Sequence, residues 1–141
     1  MTVYVDSSVL MRIVTGARDA LREWGRITRA LSSELIRVEC LRTIDRTRLQ
    51  LHLPDDDVAE RRAALLDRLE AFELIALDRT VLERAAEPFP TALGTLDGVH
   101  LASAVLAREQ IADLAVATHD RELAIAARAM NLPVLGASRL R

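Results

Sequence analysis

Lysine is missing from this chain: all 19 of its basic residues are arginine. Mechanisms that depend on a Schiff base, on the lysine of a phosphate-binding loop or on any other catalytic lysine are therefore excluded. Aromatic residues are also scarce, at 3% of the 141 residues. The core must consequently be aliphatic, and few rings are available to stack on the bases of single-stranded nucleic acid.

Cysteine and long apolar runs are scarce as well. Cys40 is the only cysteine, so no disulfide can form within the chain, which fits a reducing compartment. No apolar run approaches the length of a membrane span, and the first residues lack the basic segment of a secretory signal. We therefore expect a cytoplasmic protein. The net charge of −2 argues against a broad, non-specific DNA-binding surface.

The length of the chain predicts a single domain, residues 1–141, which buries about two-thirds of its unfolded surface. Short β-branched runs alternate with helical patterns along the sequence. This alternation predicts an α/β fold with a central, mainly parallel sheet of four to five strands covered by helices on both faces. The predicted strands are 2–5, 27–31, 72–77, 114–118 and a short extended segment at 132–135. The predicted helices are 9–14, 17–24, 35–49, 58–70, 80–86, 97–107 and 122–130.

The first ten residues organise the rest of the chain. Residues 2–5 form a β-branched and aromatic run that is typical of a buried strand, and Asp6 follows them directly. A carboxylate at the end of a strand, followed at once by a helix, lies where open α/β sheets carry their chemistry. Because an aspartate is costly to bury alone, the sequence must supply a partner for it.

Three further acids are found in unusual places. Asp97 begins the most apolar helix, and Asp120 follows a late strand. Glu39 lies on the same helix face as apolar residues one turn earlier in its own helix. Each acid has a structural explanation when it is taken singly. The aspartates, including Asp6, could cap helices, and Glu39 could pair with a nearby arginine.

Taken together, these acids indicate a metal site. Strand ends, and the helices that start after them, meet at one edge of a parallel sheet, which brings Asp6, Asp97 and Asp120 near one another. Carboxylates within a few ångströms repel each other unless a cation holds them, and the chain has no lysine to do so. An all-oxygen site favours Mg²⁺ or Mn²⁺. Such a site is best suited to metal-assisted attack of water on a phosphodiester.

Four blocks of sequence carry a resemblance to a known family. The blocks are residues 3–10 (VYVDSSVL), 33–39 (SELIRVE), 95–104 (TLDGVHLASA) and 117–123 (ATHDREL). In this order and spacing they resemble the PIN domain family, and within it the VapC toxins of bacterial toxin–antitoxin pairs. The resemblance extends over nearly the whole chain.

The resemblance implies a three-layer α/β/α sandwich and a ribonuclease that depends on Mg²⁺ or Mn²⁺. Carried over to this sequence, the catalytic, metal-binding acids are Asp6, Glu39, Asp97 and Asp120. Ser7 and Thr118 match hydroxyl positions that support the metal or its water. The Ser7 hydroxyl could instead cap the first helix.

The resemblance also implies partners. VapC-like enzymes commonly act on structured transfer RNA or ribosomal RNA, and they usually form homodimers. A VapB-like antitoxin would inhibit the enzyme by occupying a groove and presenting a basic residue to the acidic site. Two alternatives stay open: a non-catalytic PIN-like module that only binds a partner, and an RNA-processing nuclease outside any toxin–antitoxin pair. A phosphoaspartate phosphatase or response regulator is disfavoured, because those proteins need a lysine.

Other residues near the acids are assigned more ordinary roles. His100 and His119 are interpreted as structural or supporting residues, and Cys40 as a core residue rather than a nucleophile. Arginines 18, 22, 26 and 29 recur at nearly helical spacing, which is typical of a solvated face, with a path for RNA phosphates as the alternative.

The two predicted N-terminal helices carry an apolar set that could serve the core or a partner. Its members are Val9, Leu10, Ile13, Val14, Leu21 and Trp24. Members of the set that are not buried in the core would form a groove for an antitoxin helix.

Overall fold

A five-stranded sheet lies at the centre of the structure, a computed structural model that describes residues 1–137. Its strands are β1 (Thr2–Val5), β2 (Arg29–Ser33), β3 (Phe72–Ile75), β4 (Ala115–Ala117) and β5 (Val134–Leu135). They are ordered β3-β2-β1-β4-β5, and every neighbouring pair is parallel. The central position of β1 places its carboxyl end in the middle of the edge at which all five strands end.

Helices cover both faces of this sheet. They are α1 (Ser7–Val14), α2 (Leu35–Leu51), α3 (Asp55–Glu70), α4 (Arg79–Ala86), α5 (Thr95–Arg108) and α6 (Arg121–Ala129). The helices α1, α2 and α3 pack on one face, α5 and α6 pack on the other, and α4 packs against α5. Across residues 1–137, no helix combines the length and apolar character needed to cross a membrane. The expected three-layer α/β/α sandwich with a parallel sheet is confirmed.

The side chains of β1 explain why this strand is central. Val3 and Val5 point to one face and Tyr4 points to the other, and all three are wholly buried. Val3 and Val5 lie in the core with Ile36 of α2, whereas Tyr4 lies with Leu101 of α5. A strand that is buried on both faces must have a helical layer on each side.

The predicted helix at 17–24 is wrong. That segment consists of turns, followed by a short 3₁₀ helix at Trp24–Arg26. Its backbone N–H groups bond carbonyls three residues back, as from Ala20 to Ala17 and from Trp24 to Leu21. Only Leu21 of this segment is buried, so the segment lacks the apolar face that would stabilise a short helix by packing.

The second strand lies two residues later than the predicted 27–31. It ends at Ser33, because pairing with β3 continues through Ser32 and Ser33. Serine has little preference for strands, but here the Ser32 hydroxyl donates a 2.7 Å hydrogen bond to the Val5 carbonyl. Pairing between strands and this hydroxyl contact therefore outweigh the local preference.

Candidate active site

Asp6 lies directly after β1 and is 3% exposed. Its backbone is extended, and its carboxylate accepts a hydrogen bond from the Ser8 backbone, so it is the N-cap of α1. The capping explanation considered from the sequence is therefore correct. Capping alone does not account for the deep burial of the group. Its second oxygen, Oδ1, lies 3.9 Å from Nε2 of His100 on α5.

Hydroxyl groups donate hydrogen bonds to one oxygen of the Asp6 carboxylate, Oδ2. Ser8 donates a 2.6 Å hydrogen bond and Thr118 donates one of 2.9 Å, both to Oδ2. The Ser7 hydroxyl is at 3.4 Å from Oδ1, a weaker contact. Thr118 was predicted to support the site and does contact Asp6, whereas the firmer serine is Ser8 rather than Ser7.

Ser8 was missed because the sequence offers two adjacent serines after Asp6. Which of the two turns inward depends on how α1 meets the end of β4. The Ser8 hydroxyl also accepts a 3.0 Å hydrogen bond from the His119 backbone, so it joins the segments that follow β1 and β4. Only the packing of these two segments reveals that role.

Glu39 reaches the same site from α2. It forms a short hydrogen bond with His100 Nε2, and the same nitrogen lies 3.9 Å from Asp6. The structural alternative for Glu39, pairing with a nearby arginine, is replaced by this contact with a histidine. Because both carboxylates approach one nitrogen, Asp6 and Glu39 lie close together.

His100 is 1% exposed and is held from behind by Tyr4, whose hydroxyl lies 2.7 Å from His100 Nδ1. Burial lowers the pKa of His100, but the hydrogen bond to Glu39 and the nearby acids outweigh burial and raise it. This arrangement agrees with a supporting role for His100. The sequence indicates Tyr4 only as a strand residue, and nothing local in it indicates the polar contact of the hydroxyl.

Asp97 lies in the first turn of α5, and the N-cap of that helix is Gly94. The capping explanation is therefore wrong for this acid. Burial raises the pKa of Asp97 to about 6, and the negative charges of Asp120 and Asp6 contribute to the rise. A carboxyl that responds to both neighbours lies near them, as the sheet-edge argument predicted.

Asp120 caps α6 by accepting a 2.9 Å hydrogen bond from the Leu123 backbone. Its own N–H donates a 2.9 Å hydrogen bond to the Thr118 hydroxyl, the same group that contacts Asp6. The capping explanation is correct for Asp120, and it is compatible with a place in the acidic cluster. The geometry thus brings Asp6, Glu39, Asp97 and Asp120 to one edge of the sheet.

The model of the PIN domain family matches residues 3–129 of this chain. The chain belongs to the PIN domain family. Ribonuclease VapC35 of Mycobacterium tuberculosis (strain CDC 1551 / Oshkosh) is 33% identical over 144 residues, which cover 99% of each chain. Ribonuclease VapC46 of M. tuberculosis (strain H37Rv) is 30% identical over 139 residues, which cover 96% of this chain and 98% of the relative. The family resemblance of the four sequence blocks is confirmed.

A solved structure shares the fold of this PIN domain. The protein PAE2754 from Pyrobaculum aerophilum superposes with a TM-score of 0.57 and is 19% identical. The match covers 95% of this chain and 83% of that one. At this identity the likeness concerns the fold alone.

The acids of this PIN domain suit a hard divalent cation in the chemistry of their donors. Among residues 1–137, no three His, Cys, Asp or Glu side chains converge closely enough to enclose a metal ion by themselves. Mg²⁺ does not need such a cage, since it commonly keeps several waters and takes one or two carboxylates from the protein. Burial is the main cause of the raised pKa of Asp97, and the charges of Asp120 and Asp6 add to it. A cation would relieve the part that is due to repulsion among the acids.

The arginines at positions 18–29 do not form a helical stripe, because the segment that carries them is irregular. Arg29 pairs with Glu73 through two hydrogen bonds of 2.7 and 2.8 Å. Arg18 and Arg22 line a polar cleft of about 720 Å³ that His119 also borders. The cleft therefore adjoins the segment between Thr118 and Asp120.

Proposed function

We propose that this PIN domain protein is a metal-dependent endoribonuclease that serves as the toxin of a type II toxin–antitoxin pair. The observation that carries the proposal is the acidic edge of the sheet, where the Thr118 hydroxyl contacts both Asp6 and Asp120, and where His100 Nε2 contacts Glu39 and lies 3.9 Å from Asp6. Full-length similarity to two proteins named as VapC ribonucleases supports the same activity for this chain.

The proposed ligands of Mg²⁺ or Mn²⁺ are Asp6, Glu39, Asp97 and Asp120. Such a cation, when bound, activates water and stabilises the negative charge that develops on the phosphodiester. The protein contributes the fixed geometry. Ser8 and Thr118 donate to Oδ2 of Asp6, whereas Oδ1 has only the weaker contact with Ser7 and lies 3.9 Å from His100 Nε2.

The position of Asp120 is fixed by its role as a helix cap. Its Oδ1 is engaged by the Leu123 backbone, and the Thr118 hydroxyl accepts a hydrogen bond from its own N–H. Asp97 is half-buried in the first turn of α5. The Asp120 carboxylate is preorganised by its capping contact, which limits the reorganisation needed during the reaction.

The proposed substrate is RNA, with structured transfer RNA or ribosomal RNA as the expected class. The polar cleft beside His119 is lined by Arg18 and Arg22, together with Arg12, which pairs with Asp19 at 2.8 Å, and by Glu23. The planar guanidinium groups of arginine suit phosphate oxygens. The cleft offers contacts to the backbone of an RNA strand whose scissile bond lies at the acids.

The proposed partner is a VapB-like antitoxin. Of the apolar set on the N-terminal segments, Val9, Leu10 and Leu21 are core residues. Val14 and Trp24 are only partly buried and flank the core. They leave apolar surface on which an amphipathic helix of an antitoxin could pack.

The direct test is cleavage of purified transfer RNA and ribosomal RNA by the purified protein. We expect cleavage with Mg²⁺ or Mn²⁺ and none in EDTA. The Asp97→Asn variant should be folded and inactive under the same conditions. Equal cleavage with and without EDTA would show that the metal mechanism is wrong. A folded protein that cuts neither RNA in either metal would instead favour the non-catalytic module.

The toxin role is tested by expression in a bacterial host. Induction should arrest growth, and the Asp97→Asn variant or co-expression of a neighbouring small gene should relieve the arrest. An active ribonuclease that leaves growth unaffected would favour an RNA-processing enzyme outside a toxin–antitoxin pair.

A further inference from the structure

A buried chain of hydrogen bonds runs from the sheet to the Glu39 carboxylate. It begins at the backbone of Ser33, passes through the Tyr4 hydroxyl and the His100 ring, and ends at Glu39. Tyr4 is 0% exposed and His100 is 1% exposed. Neither residue belongs to the acids proposed to bind the metal, and the proposed reaction does not use either directly.

The donor at the start of the chain favours one direction for the hydrogen bonds that follow it. The Ser33 N–H donates a 3.1 Å hydrogen bond to the Tyr4 oxygen, so the tyrosine hydroxyl is free to donate its proton onward. Its neighbour on that side is His100 Nδ1 at 2.7 Å. A neutral imidazole that accepts at Nδ1 carries its proton on Nε2. That N–H points at the Glu39 carboxylate.

The fold holds Tyr4 and His100 firmly, but it does not by itself hold the Glu39 side chain. Tyr4 lies in the central strand, and the rings of Tyr4 and His100 pack edge to face, with centroids 5.8 Å apart. Glu39, by contrast, is a flexible side chain on α2 and is only partly buried. Without the histidine, the Glu39 carboxylate could rotate away from Asp6 towards water, which would be favoured by the repulsion between the two acids.

We propose that Tyr4 and His100 are positioning residues that hold the Glu39 carboxylate beside Asp6 for the divalent cation. This inference rests on the proposed function, because it assigns the two residues to the same site. The tyrosine sets the tautomer of the histidine, and the histidine sets the orientation of the acid. Groups that orient metal ligands in this way commonly contribute 10- to 100-fold to metal affinity or activity.

The test compares Tyr4→Phe, His100→Leu and His100→Gln with the wild-type protein. Tyr4→Phe keeps the ring and removes only the hydroxyl. His100→Gln retains an N–H donor close to the position of Nε2, whereas His100→Leu retains none. Cys40→Ala is the matched control, since it removes a buried group next to Glu39 and leaves the three hydrogen bonds in place.

The first measurement is Mn²⁺ binding to the RNA-free protein by calorimetry or electron paramagnetic resonance. We expect Tyr4→Phe and His100→Leu to weaken binding by about 10- to 100-fold, with His100→Gln closer to wild type and Cys40→Ala unchanged. In cleavage assays, the Mn²⁺ concentration for half-maximal rate should rise by the same factor, while kcat at saturating Mn²⁺ stays near the wild-type value.

The second measurement is the ¹⁵N spectrum of His100 in the metal-free protein at alkaline pH, where the ring carries one proton. We expect that proton on Nε2 in the wild type, and a mixture of both tautomers in Tyr4→Phe. This signal depends on neither metal nor catalysis.

The outcomes separate the two proposals. Wild-type Mn²⁺ affinity in folded Tyr4→Phe and His100→Leu variants, or a proton on Nδ1 in the wild type, overturns the positioning role and leaves the ribonuclease intact. A wild-type protein that neither binds Mn²⁺ nor cleaves RNA overturns the proposed function and the positioning role with it.

Discussion

The Thr118 hydroxyl donates a 2.9 Å hydrogen bond to the Asp6 carboxylate, across 112 positions of sequence. Each residue directly follows a strand, and Val5 pairs with Ala117 in the parallel register of β1 and β4. Two residues that follow paired positions of adjacent parallel strands must lie side by side. The contact on which the acidic site depends is therefore a direct consequence of strand order.

Replacing Asp6 with asparagine tests the central acid. Asparagine caps helices as well as aspartate does, and its oxygen can still accept from Ser8 and Thr118, so the fold should be retained. RNA cleavage should fall by more than about 100-fold, since even groups that only orient metal ligands contribute up to that factor. The measurements are the rate of RNA cleavage and the thermal unfolding temperature.

Asp78→Asn is the matched control for that substitution. Asp78 caps α4 with a 2.9 Å hydrogen bond from the Val81 backbone and does not contact the acidic site. Its variant should retain full cleavage. Similar losses in both variants would assign the effect to helix capping rather than to the site.

Alanine substitutions at the two adjacent serines should have unequal effects. Ser8→Ala removes a 2.6 Å hydrogen bond to Asp6 and leaves the His119 N–H without its acceptor. We expect this change to lower the free energy of unfolding by about 1–3 kcal/mol. Ser7→Ala removes only a 3.4 Å contact and should change stability much less. Urea unfolding of both variants gives the comparison, and equal losses would contradict the assignment of Ser8 as the firmer support.

Stability of the metal-free protein should decrease as Asp97 ionises. Burial raises the pKa of Asp97 to about 6 in the folded state, so the folded protein binds this proton more tightly than the unfolded chain does. The free energy of unfolding should therefore fall between about pH 4 and pH 6. The loss should be on the order of 1 kcal/mol, because the half-buried carboxyl is partly screened by solvent.

The pH effect is isolated by comparing the wild type with Asp97→Asn in EDTA. Between about pH 4 and pH 6, the free energy of unfolding of the wild type should fall relative to that of the variant. Saturating Mg²⁺ should reverse the trend in the wild type, because the cation stabilises the ionised acids. A difference that is constant from pH 4 to pH 7 would contradict the raised pKa of Asp97 in the folded protein.

The thiol of Cys40 should be inert in the folded protein. Burial raises the pKa of Cys40 to about 12, and the nearby acids Glu39 and Asp6 contribute to the rise. Because the thiolate is the reactive form, Ellman's reagent should not label the native protein and should label it stoichiometrically in denaturant. Rapid labelling of the native protein would contradict the interpretation of Cys40 as a core residue.

Sequence alone determined the class of fold and singled out four candidate acids. The alternation of β-branched runs with helical periods predicted the parallel sheet, because β-branched runs are typical of strands and helical periods are typical of helices. The acid after the first strand and the acids near later strand ends pointed to one edge, because all strands of a parallel sheet end on the same side. Local patterns failed where they were weak, as in the segment 17–24, which has too few buried residues to form a helix.

Tertiary structure decided which groups surround those acids. The choice of Ser8 over Ser7, the pairing of Glu39 with His100, and the contact of Tyr4 with His100 each join residues from different elements. Sequence periodicity specifies which face of an element is buried, but it does not specify which atoms meet across an interface. Those contacts follow from strand order and helix packing, which set distances between residues far apart in the chain.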